Sequence, residues 1–308
     1  MTRYILRRIF MMIPVMLGVT LLVFFIISLT PGDAASMILG QEATEESIQE
    51  LREEMGLNDP TAVQYVRYMG GLFQGDMGRS YATGKTVSSE IAQRFPNTFV
   101  LTVSAIFLSV LISIPIGVVS ATKQYSIFDN VGMIIALVGI SMPSFWTGLL
   151  LIIAFSLTLG WFPSGGMEGF ISLILPAFTL AIASTASITR TTRSSMLEVI
   201  RQDYINTAKA KGVSKNVVIR KHALKNALIP AITVIGLEFG ILLGGAVLTE
   251  TVFSWPGIGR LMVESIQRKD TPMVLGSVIV FALAFSVVNL IIDILYAFID
   301  PRIKSNYS

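Results

Sequence analysis

The chain has 308 residues, 53% of them hydrophobic and only 14% charged, with no cysteine, one histidine and a net charge of +3. Soluble domains carry about a quarter charged residues, so an ordinary water-soluble domain is excluded, and the lack of cysteine excludes disulfides and thiolate metal sites. A mean hydropathy of +0.69 places the chain in a membrane.

The first element is an apolar run from Ile9 to Leu29, preceded by Arg3, Arg7 and Arg8. A signal-peptide core is about 7–15 residues long, whereas about 20 residues of helix span the hydrocarbon. The run therefore predicts a retained anchor over 1–29, despite the small residues Ala34 and Ala35 after it. Residues 30–97 follow as an outer segment. Thr44 with Ser47-x-x-Glu50 predicts a capped helix over 45–55, stopped by Gly56. Asn58-Asp59-Pro60 predicts a turn, and Thr61–Phe73 has helical apolar spacing. Two readings stay open for this segment: an acidic, partly helical lid, or a solvated connection without a role.

Five further apolar stretches are predicted to span, near 98–121, 131–159, 170–189, 228–249 and 273–299. All are helices, because in lipid each backbone donor and acceptor must be satisfied within its own segment. Pro143 predicts a kink or bent end in the 131–159 span. The 170–189 span is more polar, with Pro176, Ser184, Thr185, Ser187 and Thr189, which suits burial among helices. Orientation follows the basic residues. The N-terminus, 122–130, 190–227 and the C-terminal tail hold 15 of the 23 Lys and Arg, whereas 30–97 has five bases against ten acids. Both termini are expected in the cytoplasm.

Within the 190–227 loop, Ser195-x-x-Glu198 predicts a helix start running to about Lys211, ended by Gly212, with Ser214 capping the next helix. Ala208, Ala210 and Gly212 would let another backbone approach, while Lys209 and Lys211 favour an acidic partner. Docking of a soluble partner, a topology-setting loop and anionic-lipid binding are all open on these residues. Glu238 and Asp293, the latter beside Asn289, are carboxylates inside spans. Such groups usually face a bundle interior or a water-filled path, so Glu238 is the pathway candidate and Asp293 a structural or pathway one. Gly236, Gly240, Gly244 and Gly245 predict close helix contact along one face of the 228–249 span. Residues 250–272, with Trp255, Pro256 and Gly257, are too polar and broken to span. They either dip back as an outer gate or place Trp255 at the membrane interface.

No catalytic constellation and no metal site is predicted. Thr83-Gly84-Lys85-Thr86 lacks the first glycine of a phosphate-binding loop, and His222 has no companions of ligand type.

Asp203-Tyr-Ile-Asn-Thr-Ala-Lys-Ala-Lys-Gly212, followed by His222-Ala-Leu-Lys-Asn-Ala-Leu-Ile-Pro230, resembles the cytoplasmic EAA-type loop of bacterial ABC import permeases. More narrowly, it resembles the dipeptide/oligopeptide/nickel family, in the branch of the first of its two permease subunits. Tyr4-Ile-Leu-Arg-Arg8, Pro31-Gly-Asp33, Met55-Gly-Leu57, Gly75-Asp-Met-Gly-Arg-Ser80, Pro96-Asn-Thr98 and Phe253-Ser-Trp-Pro-Gly-Ile-Gly-Arg260 carry the likeness along nearly the whole chain.

The resemblance implies an all-α integral membrane protein of six transmembrane helices, with type I ABC importer permease architecture and a core domain over 98–308. It implies a permease subunit, not an enzyme, in a bacterial or archaeal cytoplasmic membrane. The implied partners are a homologous second permease, two cytoplasmic ATPase subunits holding ATP and Mg, and an extracytoplasmic substrate-binding protein; nucleic acid is not among them. Carried over by position, Tyr204, Thr207, Ala208, Ala210, Lys211 and Gly212 would form the ATPase-coupling helix. Asn206-Thr207-Ala208 stands where the general pattern has Glu-Ala-Ala, and the proline comes late, at Pro230, so no role of the motif glutamate carries over. Implied cargoes are dipeptides, oligopeptides, nickel complexes or sugars. The alternative of another class is an ion-coupled secondary transporter using Glu238 and Asp293.

Overall fold

The structure, a computed structural model, describes residues 2–29, 32–40 and 43–299. Pro31 of the Pro31-Gly-Asp33 motif and the C-terminal tail from Asp300 lie outside them. Thirteen α-helices are described: α1 (Thr2–Leu29), α2 (Ala34–Leu39), α3 (Glu45–Glu54), α4 (Thr61–Phe73), α5 (Val87–Thr122), α6 (Ile127–Ser141), α7 (Ser144–Leu151), α8 (Ile171–Ile200), α9 (Asp203–Ala210), α10 (Lys215–Val217), α11 (Leu224–Val252), α12 (Ile258–Gln267) and α13 (Thr271–Ile299). π-helical stretches continue α7 over Ile152–Thr158 and join α10 to α11 over Val218–Ala223. Among the described residues five helices are long and apolar enough to cross a membrane, or six if the bent α6–α7 pair is one span.

The chain divides into two compact units, Met1–Thr98 with Pro256–Ser286, and Phe99–Trp255 with Val287–Ser308. In the first, α1 meets α4 through the buried Thr20, whose Oγ1 lies 3.0 Å from Tyr65 Oη, while the Phe24 and Tyr65 rings pack edge to face. The predicted helices of the outer segment over 45–55 and 61–73 are present. Thr44 Oγ1 accepts the Ser47 N–H, Gly56 adopts φ +64 just past the end of α3, and α4 spans Thr61–Phe73. Three features were not anticipated: α2, capped by Asp33; the start of α5 eleven residues before the predicted 98; and the helix α12 within the 250–272 segment.

A buried carboxylate organises this unit. Asp270, 1% exposed, precedes α13 and accepts hydrogen bonds from Ser80 Oγ, from Tyr81 N–H at 3.1 Å, from Ala82 N–H at 3.3 Å and from Met273 N–H at 3.3 Å. It caps the helix and clasps the 79–86 turn in one step. Burial pushes the Tyr68 phenol well up, and pushes up Tyr81 too, with the Asp270 charge adding to the second. Both phenols stay neutral in the folded protein where unfolded tyrosine ionises, near about pH 10. The unfolded state then binds fewer protons, so stability falls as pH rises above that point. Melting temperatures compared at pH 9 and pH 11 are expected to drop less in a Tyr68→Phe/Tyr81→Phe variant than in the native chain. Equal drops would contradict this account.

In the second unit α8 is the central helix. It is the most buried of the candidate spans, and half of its residues are inside. Its Ser and Thr content, which set it apart in sequence, reflects this position: small polar side chains allow close approach and bond neighbouring helices. Ser109 Oγ of α5, for example, donates to the Ala181 carbonyl of α8 at 3.1 Å. At Gly117 of α5 a Cβ would lie 2.7 Å from Thr192 Cβ of α8.

One expectation is met here and one is corrected. The 131–159 stretch bends at Pro143 as predicted, and sharply: α6 and the α7 arm diverge by 107°. Met142 is driven to the extended region (φ −87, ψ 127), because the following Pro143 disfavours helical geometry in the residue before it. The Ser195-x-x-Glu198 capping box does not start a helix. α8 runs through it to Ile200, Ser195 is buried, and the break falls at Arg201–Gln202.

Candidate functional site

The loop after α8 folds into a short, exposed helix set on an apolar base. The end of α8 turns at Arg201–Gln202, α9 runs from Asp203 to Ala210, and Gly212 at φ +78 reverses the chain. That left-handed conformation is cheap only for glycine, and the sequence placed it correctly. Ser214 stands at the start of α10 without a side-chain capping bond.

The two faces of α9 differ. Ile205 is fully buried and Ala208 is 8% exposed; both pack with Met196, Val218, Ala223 and Ala227 in one apolar cluster. Tyr204, Thr207, Ala210, Lys211 and Gly212 are exposed. Of the six residues assigned to the coupling helix, five thus lie on the open side, while Ala208 belongs to the chain's own core. Spacing explains the split: Ile205 and Ala208 are three apart and share a helix face, but an alanine in a polar context gives no sign of which way it points.

One side-chain hydrogen bond joins α9 to α11. Asn226 Nδ2 of α11 donates to Tyr204 Oη at 2.9 Å, and within α9 Thr207 Oγ1 donates back to the Asp203 carbonyl at 3.0 Å. His222 sits half-buried in the π-helical stretch, its carbonyl accepting from Asn226. A buried ion pair ties α8 to α6. Arg193 Nε and Nη2 reach Asp129 Oδ1 and Oδ2 of α6 at 2.6 and 2.8 Å, and the Asp129 side chain is 2% exposed. Sequence reading missed this pair, because nothing local links residues 64 positions apart.

The pathway candidates lie in the second unit. Ser184 Oγ of α8 donates to Glu238 Oε2 of α11 at 2.8 Å, so the carboxylate is half-buried and bonded between the two helices that pack most extensively. Asn289 and Asp293 are half-buried one turn apart on α13. On the same helix, Ile292 fills the space beside Gly236 of α11, where a Cβ would sit 2.5 Å from Ile292 Cγ1. The predicted small-residue face is therefore used within the chain at Gly236. Gly240 is buried, Gly244 has open space beside it, and the Gly245 position lies outside the residues whose burial is described.

The gate candidates separate. Trp255 is 1% exposed and sits in the core cluster with Leu101, Leu173, Ala177 and Leu242, not at an interface. Pro256 accepts from Asn97 Nδ2 at 2.8 Å, and Gly257 is extended just before α12. Burying a tryptophan contributes more apolar area than any other side chain offers, which accounts for the placement.

Comparison with known proteins locates this arrangement. The family model for binding-protein-dependent transport system inner membrane components matches residues 113–305, and the model for the N-terminal part of such membrane components matches residues 1–102. The chain is 46% identical to the dipeptide transport system permease protein DppB of Alkalihalophilus pseudofirmus, with 99% of this chain and all of that one aligned. It is 44% identical to the oligopeptide transport system permease protein AppB of Bacillus subtilis over 99% of this chain and all of that one. It is 43% identical to the glutathione transport system permease protein GsiC of Salmonella paratyphi A, over 99% of each. Among solved structures, an inward-facing MetNI methionine ABC transporter chain matches with a TM-score of 0.59 at 18% identity, over 68% of this chain and 96% of that one. At that identity the match speaks for the fold.

Proposed function

The chain belongs to the family of binding-protein-dependent transport system inner membrane components, and from that premise we propose that it is one permease of an ATP-driven importer of di- or oligopeptides. The observation that carries the proposal is α9: a short surface helix with an open face of Tyr204, Thr207, Ala210 and Lys211, and a buried face locked into the base of α8 and α11. The peptide class is supported by the relatives named for dipeptide, oligopeptide and glutathione transport.

In this reading ATP and Mg are held by two cytoplasmic ATPase subunits that receive α9, and an extracytoplasmic binding protein delivers cargo. A homologous second permease completes the pathway. Both chain ends face the cytoplasm, in keeping with the basic loops. ATPase closure moves α9; the Ile205/Ala208 cluster and the Tyr204–Asn226 bond pass that motion to α8 and α11; and the Ser184–Glu238 contact lies on the same two helices. Such a lever works because packed helices shift as bodies and do not deform continuously.

The test separates docking from transmission. Ala210→Glu puts a charge on the open face without touching the core. It is expected to leave insertion and melting unchanged and to abolish copurification of the ATPase subunits from mild detergent. Tyr204→Phe keeps the ring and removes the bond to Asn226. ATPase should still copurify, while peptide uptake falls severalfold, since one exposed hydrogen bond contributes about 0.5–1.5 kcal/mol. If no ATPase accompanies even the native chain, the importer reading fails. Ala208→Glu is the wrong probe, because burying a charge at an 8% exposed position would disrupt the chain itself.

A further inference from the structure

The second unit holds a cavity of about 320 Å³ beside α9 that neither the open face of that helix nor the pathway candidates use. Its volume lies at the lower end of the range of about 300–1,000 Å³ for small-ligand sites. Three candidate spans meet at its wall: α5 closes there with Ala121 and Thr122, α8 closes with Ile200, and a third opens at Lys215. The ends of spans lie where hydrocarbon gives way to headgroups. The cavity therefore sits at the level of a membrane surface, on the side of the basic loops.

The interior is apolar. Ile200, Val213 and Ile219 are half-buried, so each keeps surface for the space it lines. Thr122 adds little polarity, because its Oγ1 donates to the Val118 carbonyl of its own helix at 2.9 Å. The rim is cationic. Lys209 follows the buried Ile205 by one turn and shares its side of α9, and Lys215 opens α10; both line the cavity and both are exposed. Neither lysine enters an ion pair among the described residues.

An apolar space under two ammonium groups, set at the ends of membrane spans, matches an amphiphile with an anionic head. We propose that the cavity takes part of one acyl chain of an anionic phospholipid, with the lipid phosphate held between Lys209 and Lys215. Basic pockets between membrane helices recognise such headgroups, and each methylene drawn into an apolar interior strengthens binding about fourfold. The bound chain also supports α9 from below, since Ile205, Val218 and Ala223 wall the cavity and belong to the cluster on which α9 rests. The inference goes beyond the peptide-import reading and needs neither cargo nor ATPase.

The full chain, purified in mild detergent and stripped of lipid, is titrated with dioleoylphosphatidylglycerol or dioleoylphosphatidylcholine, and bound lipid is counted by native mass spectrometry. Phosphatidylglycerol is expected to bind saturably and about twentyfold tighter than phosphatidylcholine, about fivefold for each lysine. Lys209→Gln and Lys215→Gln should each remove about fivefold of that preference. Lys221→Gln/Lys225→Gln, which changes exposed lysines outside the cavity, should leave it intact. Val213→Trp, which fills the space and keeps both lysines, should abolish the saturable site while melting stays near that of the native chain. Equal binding of the two lipids, or an equal loss from the outer lysine pair, reduces the effect to general surface charge and overturns the site. Glycerol phosphate displacing the lipid at equal concentration overturns the role of the acyl chain, and decanoate doing so assigns the cavity to a free fatty acid and overturns the phospholipid. Peptide uptake is not the readout, so any of these failures leaves the importer reading standing.

Discussion

Arg193→Ala is expected to be the most damaging single polar substitution in the second unit, costing about 3–5 kcal/mol of stability. Asp129 holds its carboxylate almost wholly inside, bound twice by Arg193 and once by the Tyr125 N–H at 3.0 Å. Taking the guanidinium away leaves a charge in low dielectric with one backbone donor, and the desolvation cost is no longer offset. Arg193→Lys should lose less, because the charge stays while the two-pronged geometry goes. Asp129→Asn/Arg193→Gln should lose less than the two single losses added, as partners in contact are not additive. The readout is thermal unfolding in nanodiscs. Native-like melting of Arg193→Ala would remove the pair from any account of this fold. Because the pair joins α6 to α8, and α8 leads into α9, transport should decline along with stability.

A smaller but still large loss is expected from adding a side chain at Gly117. A methyl group there would meet Thr192 Cβ at 2.7 Å, Thr192 Cγ2 at 2.9 Å and the Thr189 carbonyl at 3.0 Å. Two of these are side-chain atoms and one is backbone, so rotamer changes alone cannot clear the space. Gly117→Ala should destabilise by about 1–3 kcal/mol, the range for overpacked interiors. Gly117→Val should be worse and should reduce the amount of inserted protein. The compensating change is Thr192→Gly, which removes both side-chain clashes and breaks no hydrogen bond, since Thr192 Oγ1 is buried without a partner. Gly117→Ala/Thr192→Gly should therefore melt above Gly117→Ala alone, even after the intrinsic cost of about 1 kcal/mol for glycine in a helix. Failure of that rescue would show that the helices meet elsewhere.

Much of the site was legible before folding was considered, in proportion to how local its causes are. Gly212 ends α9 because the chain must reverse there, and Thr44 caps α3 because its hydroxyl reaches Ser47 N–H; both follow from a few consecutive residues. Tyr204, Thr207, Ala210 and Lys211 were placed on one surface helix by resemblance and lie exposed on α9 or just past its end. What escaped were preferences overridden by packing. Ser195 had the pattern of a helix start, but burial against neighbours carried α8 straight past it. Trp255 had two open readings, an outer gate or an interfacial aromatic, and it sits in the core, where packing and not local pattern decides.

From the sequence alone came the membrane setting, the number of apolar stretches, the capped outer helices and the kinship with import permeases. These depend on length, composition and short-range chemistry, and a bilayer enforces them on any chain of this pattern. Tertiary structure alone decided the Asp129–Arg193 and Ser184–Glu238 contacts, the Asp270 clasp and the inward turn of Ala208. The physical reason is that lipid and protein interior are both apolar. A membrane helix is hydrophobic toward its neighbours and toward the acyl chains alike, so periodicity does not reveal its buried face. Only the packed helices, by bringing distant polar groups within bonding distance, distinguish the one side from the other.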